Sequence, residues 1–300
     1  MVDDLWGRNV AMKKNMVCAV LLQKYLSLHF ENNVFTYFNV KIKEVIDALE
    51  RFAPLPLQED WDNAGLQIGL TETEASGALL CLDVNEHVVD EAVRKGFNVV
   101  VAHHPLLFRG LKQISDTDDV QRTVTKAVKN DIAIVAMHTN MDNARGGVNF
   151  KIAEKLQLEN VDFFARKKVG DIEAGSGVTG FLPSPMPANA FINMVKDTFG
   201  VHTALCNQPL QRDISKVAIC GGAGDFLLQQ AIAEGADAFI TGEMHYHLYA
   251  GHEQQLQICV IGHYQSEQFT AELFRDILAK DCPGLKTELA ETARNPIYYL

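Results

Sequence analysis

Two adjacent histidines, His103 and His104, close the run VVVA (99–102) and stand before Pro105. A short apolar run rich in valine reads as a buried strand over 97–102, and the carboxyl ends of such strands are where open α/β sheets gather ligands. Proline favours extended backbone in the residue before it, so the two imidazoles can diverge and each take one of two neighbouring metal ions. Three more strand-like runs end in the same chemistry. Residues 132–137 lead to His138 and Asp142, 236–241 to Glu243, His245 and His247, and 256–261 to His263 and Glu267. Most of the ten histidines therefore sit at strand ends. Imidazole and carboxylate donors without a thiolate suit Zn, Fe, Mn, Co or Ni, and carboxylates can bridge two ions. A pair of ions activates water, so hydrolysis is the natural output, whereas histidines that merely tie loops together, or a structural metal, are the plainer alternatives. Histidine ligation predicts metal loss below about pH 6, because imidazole must be neutral to bind.

The elements that position these residues alternate strand and helix. Residues 41–53 place Ile42, Val45, Ile46, Leu49 and Phe52 on one helical face, closed by Pro54. A turn-rich loop over 55–69 follows, centred on Trp61, Asp62 and Asn63, with Trp61 read as a loop anchor rather than a substrate platform. A strand at 78–84, a helix at 86–95 capped by Asn85 and stopped by Gly96, and the 97–102 strand form a parallel crossover unit. A helix at 118–129 and the 132–137 strand extend the same sheet. Asp142 also reads as a turn aspartate capping a helix that starts near Val148, and Gly146 and Gly147 permit a tight course near a ligand.

Residues 158–187, with Gly175, Gly177 and three prolines around a short strand at 178–182, read as the inter-lobe connection. A helix at 189–199, strands near 202–206 and at 216–220, and a helix at 225–234 open the second lobe. The glycines of 221–224 (GGAG) could cradle phosphate on backbone N–H groups, but the spacing is not GxGxxG and no lysine follows, so a plain tight turn is preferred. A helix is expected from near Glu243, which leaves at most one of His245 and His247 facing a site. The last helix is expected at 266–278.

Three hundred residues suit two lobes: 39–165 and 188–300, joined by 166–187, with 1–38 an N-terminal extension of unknown role. A composition of 47% hydrophobic and 22% charged residues is that of a soluble globular protein. The net charge of −11 argues against general nucleic-acid or anionic-membrane binding, but allows a small-molecule substrate, including a phosphorylated one held in a local basic pocket. No apolar stretch approaches the length of a membrane span. The six cysteines show no CxxC pairing and fit buried thiols in a reducing, cytoplasmic compartment.

The segments DWDNAGLQIG (60–69), AHHPLLF (102–108), HTNMDNARGGVN (138–149), TGEMHYH (241–247) and GHYQSEQF (262–269), in that order, resemble the NIF-three-like family. This is the domain-of-unknown-function-34 family, whose members are labelled GTP cyclohydrolase I type 2 homologues, and the likeness runs from about Lys41 to the carboxyl terminus. It implies a two-lobed α/β fold of three-layer lobes, with a dinuclear metal site in the cleft between them and assembly as a toroidal homohexamer. By motif position, it implies that His103 and His263 bind one ion, that His104 and Asp142 bind the other, and that Glu267 bridges both. His138 would lie beside the ions or act in catalysis, Glu243 would lie near the site, and in the implied reaction the catalytic shuttling of protons would fall to His138 or Glu243. The TGE element departs from the family pattern, continuing as MHYH instead of a serine and a histidine pair. The implied activity is metal-dependent hydrolysis of GTP or a related heterocycle. A metal-storing, metal-sensing or adaptor protein is the rival from another class.

Overall fold

Short valine- and isoleucine-rich runs make strands buried on both faces, which is the environment of a parallel sheet covered by helices. In a computed structural model that describes residues 40–299, the strands are β1 Gly65–Ile68, β2 Ala78–Cys81, β3 Val99–Ala102, β4 Ala133–Ala136, β5 Glu159–Phe163, β6 Arg166–Val169, β7 Ile172–Gly175, β8 Val178–Pro187, β9 Leu205–Cys206, β10 Asp213–Cys220, β11 Ala238–Thr241, β12 Gln257–Val260 and β13 Thr287–Leu289. The N-terminal extension expected at 1–38 lies outside the described residues. The first sheet has the order β1-β4-β3-β2-β13 and the second β5-β8-β10-β11-β12-β9, while β6 and β7 form a separate hairpin. Strands β2, β3, β4 and β13 are parallel, with β1 antiparallel at the edge. Strands β10, β11 and β12 are likewise parallel, flanked by antiparallel β8 and β9. Each sheet thus brings several strand carboxyl ends to one edge.

Local chemistry sets the helix ends. The Asn85 side chain accepts from the amides of His87 and Val88 at 2.9 and 3.1 Å, and Gly96 takes φ +71° to stop the helix Glu86–Lys95. That helix and Asp119–Lys129 cover one face of the first sheet, burying Val88, Val89, Ala92, Val124 and Ala127 against Leu79, Val100 and Ile134. The other face does not close on itself. Leu80, Val101 and Val135 of the first sheet share one apolar core with Val217, Ile219 and Ile240 of the second, and with helices Ile42–Phe52 and Thr270–Asp281.

Four stretches differ from the sequence reading. Residues 166–187, read as a connection, carry the β6–β7 hairpin and the ten-residue β8. Strand β8 keeps its pairing despite its prolines because the register jumps: Phe181 faces Lys216 and Met186 faces Ile214, so 182–185 loop out where no amide is needed. The final segment, read into the second lobe, returns β13 to the first sheet beside β2. The helix expected at 266–278 breaks into His263–Glu267 and Thr270–Asp281. Residues 225–234 begin with a 3₁₀ turn, Asp225–Leu227, before the helix Leu228–Ala233. No helix among the described residues is long and apolar enough to cross a membrane.

Candidate metal centre

Strand β3 ends at Ala102, which delivers His103 and His104 to the sheet edge. His103 is fully buried, and its Nδ1 donates to the Met137 carbonyl at 2.8 Å just past β4. His104 turns the other way and its Nδ1 meets Asp83 Oδ1 at 2.7 Å, just past β2. From the second sheet, the turn after β12 supplies His263, whose Nδ1 meets Glu243 Oε1 at 2.9 Å. The turn after β4 supplies His138, whose Nδ1 meets Asp62 Oδ1 at 2.7 Å. With each Nδ1 engaged by an acceptor, the Nε2 of a neutral ring is left with a lone pair facing inward.

Those lone pairs converge on carboxylates. His104 Nε2 and His263 Nε2 each lie 3.1 Å from Glu267 Oε2 and 3.3 Å from one another. His103 Nε2 lies 3.5 Å from Asp142 Oδ1 and 3.8 Å from Glu267 Oε1, and has no hydrogen-bond partner. Acceptors facing acceptors in a buried space call for positive charge between them, supplied by protons or by metal. The residues fit metal: His103, Asp142 and Glu267 form one group able to hold an ion, and His104, His263 and Glu267 another. This grouping reverses the one implied by motif position, where His103 went with His263 and His104 with Asp142. The reason is the divergence of the two imidazoles, which sends His103 toward the end of β4 and His104 toward the second sheet. His138 places a nitrogen within 4.8 Å of those of His103 and His104.

Without metal, protons carry the charge. Burial disfavours the charged form of His104, but hydrogen bonds to Asp83 and Glu267 outweigh it and push its pKa up to about 10. The Glu267 contact pushes His263 up to about 9. Burial alone would raise Glu267, yet the three imidazoles hold it well below the usual carboxylate range. Asp142 is raised, chiefly by burial.

Glycines clear the space. Gly222 has φ +60°, and a Cβ there would stand 2.3 Å from Glu267 Oε1. The GGAG segment is no phosphate cradle, because three of its amides are already spent: Gly221 on Asn149 Oδ1, Gly222 on Ser266 Oγ and Gly224 on Thr241 Oγ1. Gly147 serves the fold and not a ligand, since a Cβ there would overlap the Met141 carbonyl at 1.9 Å. Asp142 does not cap the helix Val148–Lys155, which has no side-chain cap.

Other expectations shift too. No helix starts at Glu243; a 3₁₀ turn spans Tyr246–Tyr249 instead. His245 and His247 are both exposed, and His245 Nδ1 pairs with Asp225 at the surface, so neither joins a metal-holding group. Trp61 is no buried anchor: it is 61% exposed and lines a cavity of about 450 Å³ that His138, Asp142, His263 and Glu267 also line. The sequence reading gave Asp83 no role, although it follows the β2 run at the same sheet edge, and saw Asp62 only as the centre of a loop. Asp62 also accepts from the Thr139 amide at 3.0 Å and from the Thr139 hydroxyl. Burial opposes its charge, but the bonds from His138 and Thr139 hold its pKa at about 2.

A mixed α/β chain that carries imidazoles and carboxylates on the strand ends of two sheets, grouped closely enough to hold metal ions, is the class these observations define. The profile of the Duf34/NIF3 (NGG1p interacting factor 3) family matches residues 40–296, and the chain belongs to that family. It is 35% identical over 229 residues to the GTP cyclohydrolase 1 type 2 homolog of Clostridium perfringens, covering 76% of this chain and 87% of that one. It is 31% identical over 266 residues to the protein of the same name from Lactococcus lactis, covering 86% and 99%. Among solved structures, a Staphylococcus aureus protein superposes with a TM-score of 0.80 at 25% identity, covering 87% of this chain and all of that one. A Bacillus cereus protein related to NIF3 gives 0.78 at 25% identity, with the same coverage.

Proposed function

We propose that this protein holds two divalent transition-metal ions and uses them to hydrolyse a nucleotide or related heterocycle. The observation that carries the reading is the buried, unpartnered Nε2 of His103 beside Asp142 and Glu267, next to two further imidazoles that share the other oxygen of Glu267. His103 and Asp142 would hold one ion, His104 and His263 the other, and Glu267 would bridge them through its two oxygens. Such ions supply Lewis acidity that activates water at neutral pH. His138, fixed by Asp62, presents its second nitrogen beside this group and takes or returns a proton. Glu243, read from the sequence as catalytic, orients His263 through Nδ1. The name shared by the bacterial relatives supports a nucleotide-like substrate. Assembly as a homohexamer and a cytoplasmic location belong to the same reading, the latter because Cys81, Cys220, Cys259 and Cys282 are buried free thiols.

The test is turnover of purine nucleotides and phosphoesters by metal-reconstituted protein beside an Asp142→Ala variant. Turnover that the variant loses by a hundred-fold or more supports the hydrolase. Identical behaviour across the panel removes it and leaves a non-enzymatic metal-handling protein.

A further inference from the structure

The cavity over the metal-holding groups has an aromatic rim that the chemistry of its floor does not need. Trp61 and Phe108, from two loops of the first sheet, stand with ring centroids 5.9 Å apart, and each meets His138 edge to face at 6.0 and 6.4 Å. Phe226, from the turn after β10 in the second sheet, completes the rim. All three rings line the cavity, yet they are 61, 45 and 65% exposed. Leaving this much aromatic surface in water is unfavourable unless something covers it.

The rest of the lining says what kind of ligand would do so. It contains the carboxylates of Glu59, Asp142 and Glu267 and, among the described residues, neither lysine nor arginine. Three of the four GGAG amides are spent within the protein. Apart from the metal-holding floor, the wall thus offers a phosphate chain no lysine or arginine, and affinity at the rim must come from the ring. A volume of about 450 Å³ lies in the range of small-molecule sites and exceeds what water alone requires.

We propose that Trp61, Phe108 and Phe226 form a stacking subsite for a flat, uncharged heteroaromatic ring of nucleobase size, holding it beside His138 and above the metal-holding groups. This rests on the nucleotide-like substrate proposed above and narrows it: the ring is the recognised part, and a triphosphate is dispensable. The subsite draws its walls from both sheets, Trp61 and Phe108 from the first and Phe226 from the second.

The experiment is a saturation-transfer NMR titration of guanosine against the metal-loaded full-length protein, with inorganic triphosphate as the ringless competitor. Stacking of one base on an aromatic side chain predicts about ten-fold weaker binding for Trp61→Ala and for Phe226→Ala, near-normal binding for Trp61→Phe, and stronger transfer to the base protons than to the ribose. Because both side chains are largely exposed, neither truncation threatens folding, and a thermal melt checks this. Guanosine binding that both alanine variants keep overturns the stacking subsite while leaving the nucleotide reading intact. Absence of guanosine binding to the wild type, with no turnover of any nucleotide, removes both. Displacement of guanosine by triphosphate alone at equal concentration, or a Trp61→Ala effect on sedimentation coefficient and not on binding, also overturns it, the latter because the rim would then be a contact between copies.

Discussion

Each imidazole of the centre is fixed at Nδ1 by a different acceptor, and this decides how protons and metal compete. In the metal-free protein His104 and His263 are imidazolium at neutral pH, with pKa values pushed up to about 10 and about 9 by the carboxylates they touch. A raised folded-state pKa stabilises the fold fully below the unfolded value of about 6.5, and that contribution is lost as pH rises through 9 to 10. Metal-free protein should therefore melt at progressively lower temperature between pH 7 and pH 10, and metal-loaded protein should not; parallel melts with and without chelator check this. The same protons must leave before metal binds. Proton competition thus begins near pH 10 at His104 and near pH 9 at His263, and not near pH 6 as imidazole chemistry alone suggests, and apparent metal affinity should fall by up to about a hundred-fold per pH unit below 9, two protons being displaced. Titration against a chromophoric chelator at several pH values measures the slope, and a flat profile would remove His104 and His263 as ligands. Asp83→Asn keeps the shape of the partner but removes its charge, and should weaken metal binding about 10- to 100-fold in the same assay.

At the scale of elements, the site depends on turns that only small residues allow. Gly222 and Gly96 both have positive φ, but a Cβ at Gly222 meets Glu267 at 2.3 Å whereas one at Gly96 meets nothing within 4 Å. Each substituted by alanine should lose about 1–2 kcal/mol from the left-handed backbone. Only Gly222→Ala should also lose bound metal, because the bridging carboxylate is pushed aside. Urea unfolding and elemental analysis of the two variants separate the effects, and equal metal content would show that Glu267 tolerates the shift. The helix Glu86–Lys95 was legible at both ends because its cap and its stop are local chemistry. Strand β8 was legible only over 178–182, because its later prolines read as a linker and only pairing with β10 reveals that the strand continues through a bulge to Pro187. Thr287–Leu289 is too short to carry a periodic signal and becomes a strand only beside β2.

For the whole molecule, the donors come from both sheets: His103, His104, His138 and Asp142 from the first, His263 and Glu267 from the second. An ion held by these donors would therefore tie together elements more than a hundred residues apart in sequence. An ion present at a hundred-fold excess over its dissociation constant adds about 2.7 kcal/mol to the folded state. Chelation should lower the melting temperature accordingly, and Asp142→Ala, which leaves His104, His263 and Glu267 in place for the other ion, should show a smaller chelator effect than the wild type. A wild type indifferent to chelator in calorimetry would mean that no ion links the sheets. The carboxyl end contributes separately: buried Glu91 accepts from the amides of Glu291 and Thr292 at 3.1 and 2.9 Å and pins the chain beyond β13 to the first sheet.

The amino-acid order alone determined the parallel strands, their helices and the placing of His103, His104, His138, Asp142, His263 and Glu267 at strand ends, because periodicity, capping and apolar runs are local. Which imidazole faces which carboxylate was decided only by the packing of two sheets on one shared core, as was the pairing of Asp62, Asp83 and Glu243 with the rings they hold. So was the rim of Trp61, Phe108 and Phe226. Distances between residues remote in the chain follow from how layers stack, and no local pattern encodes them.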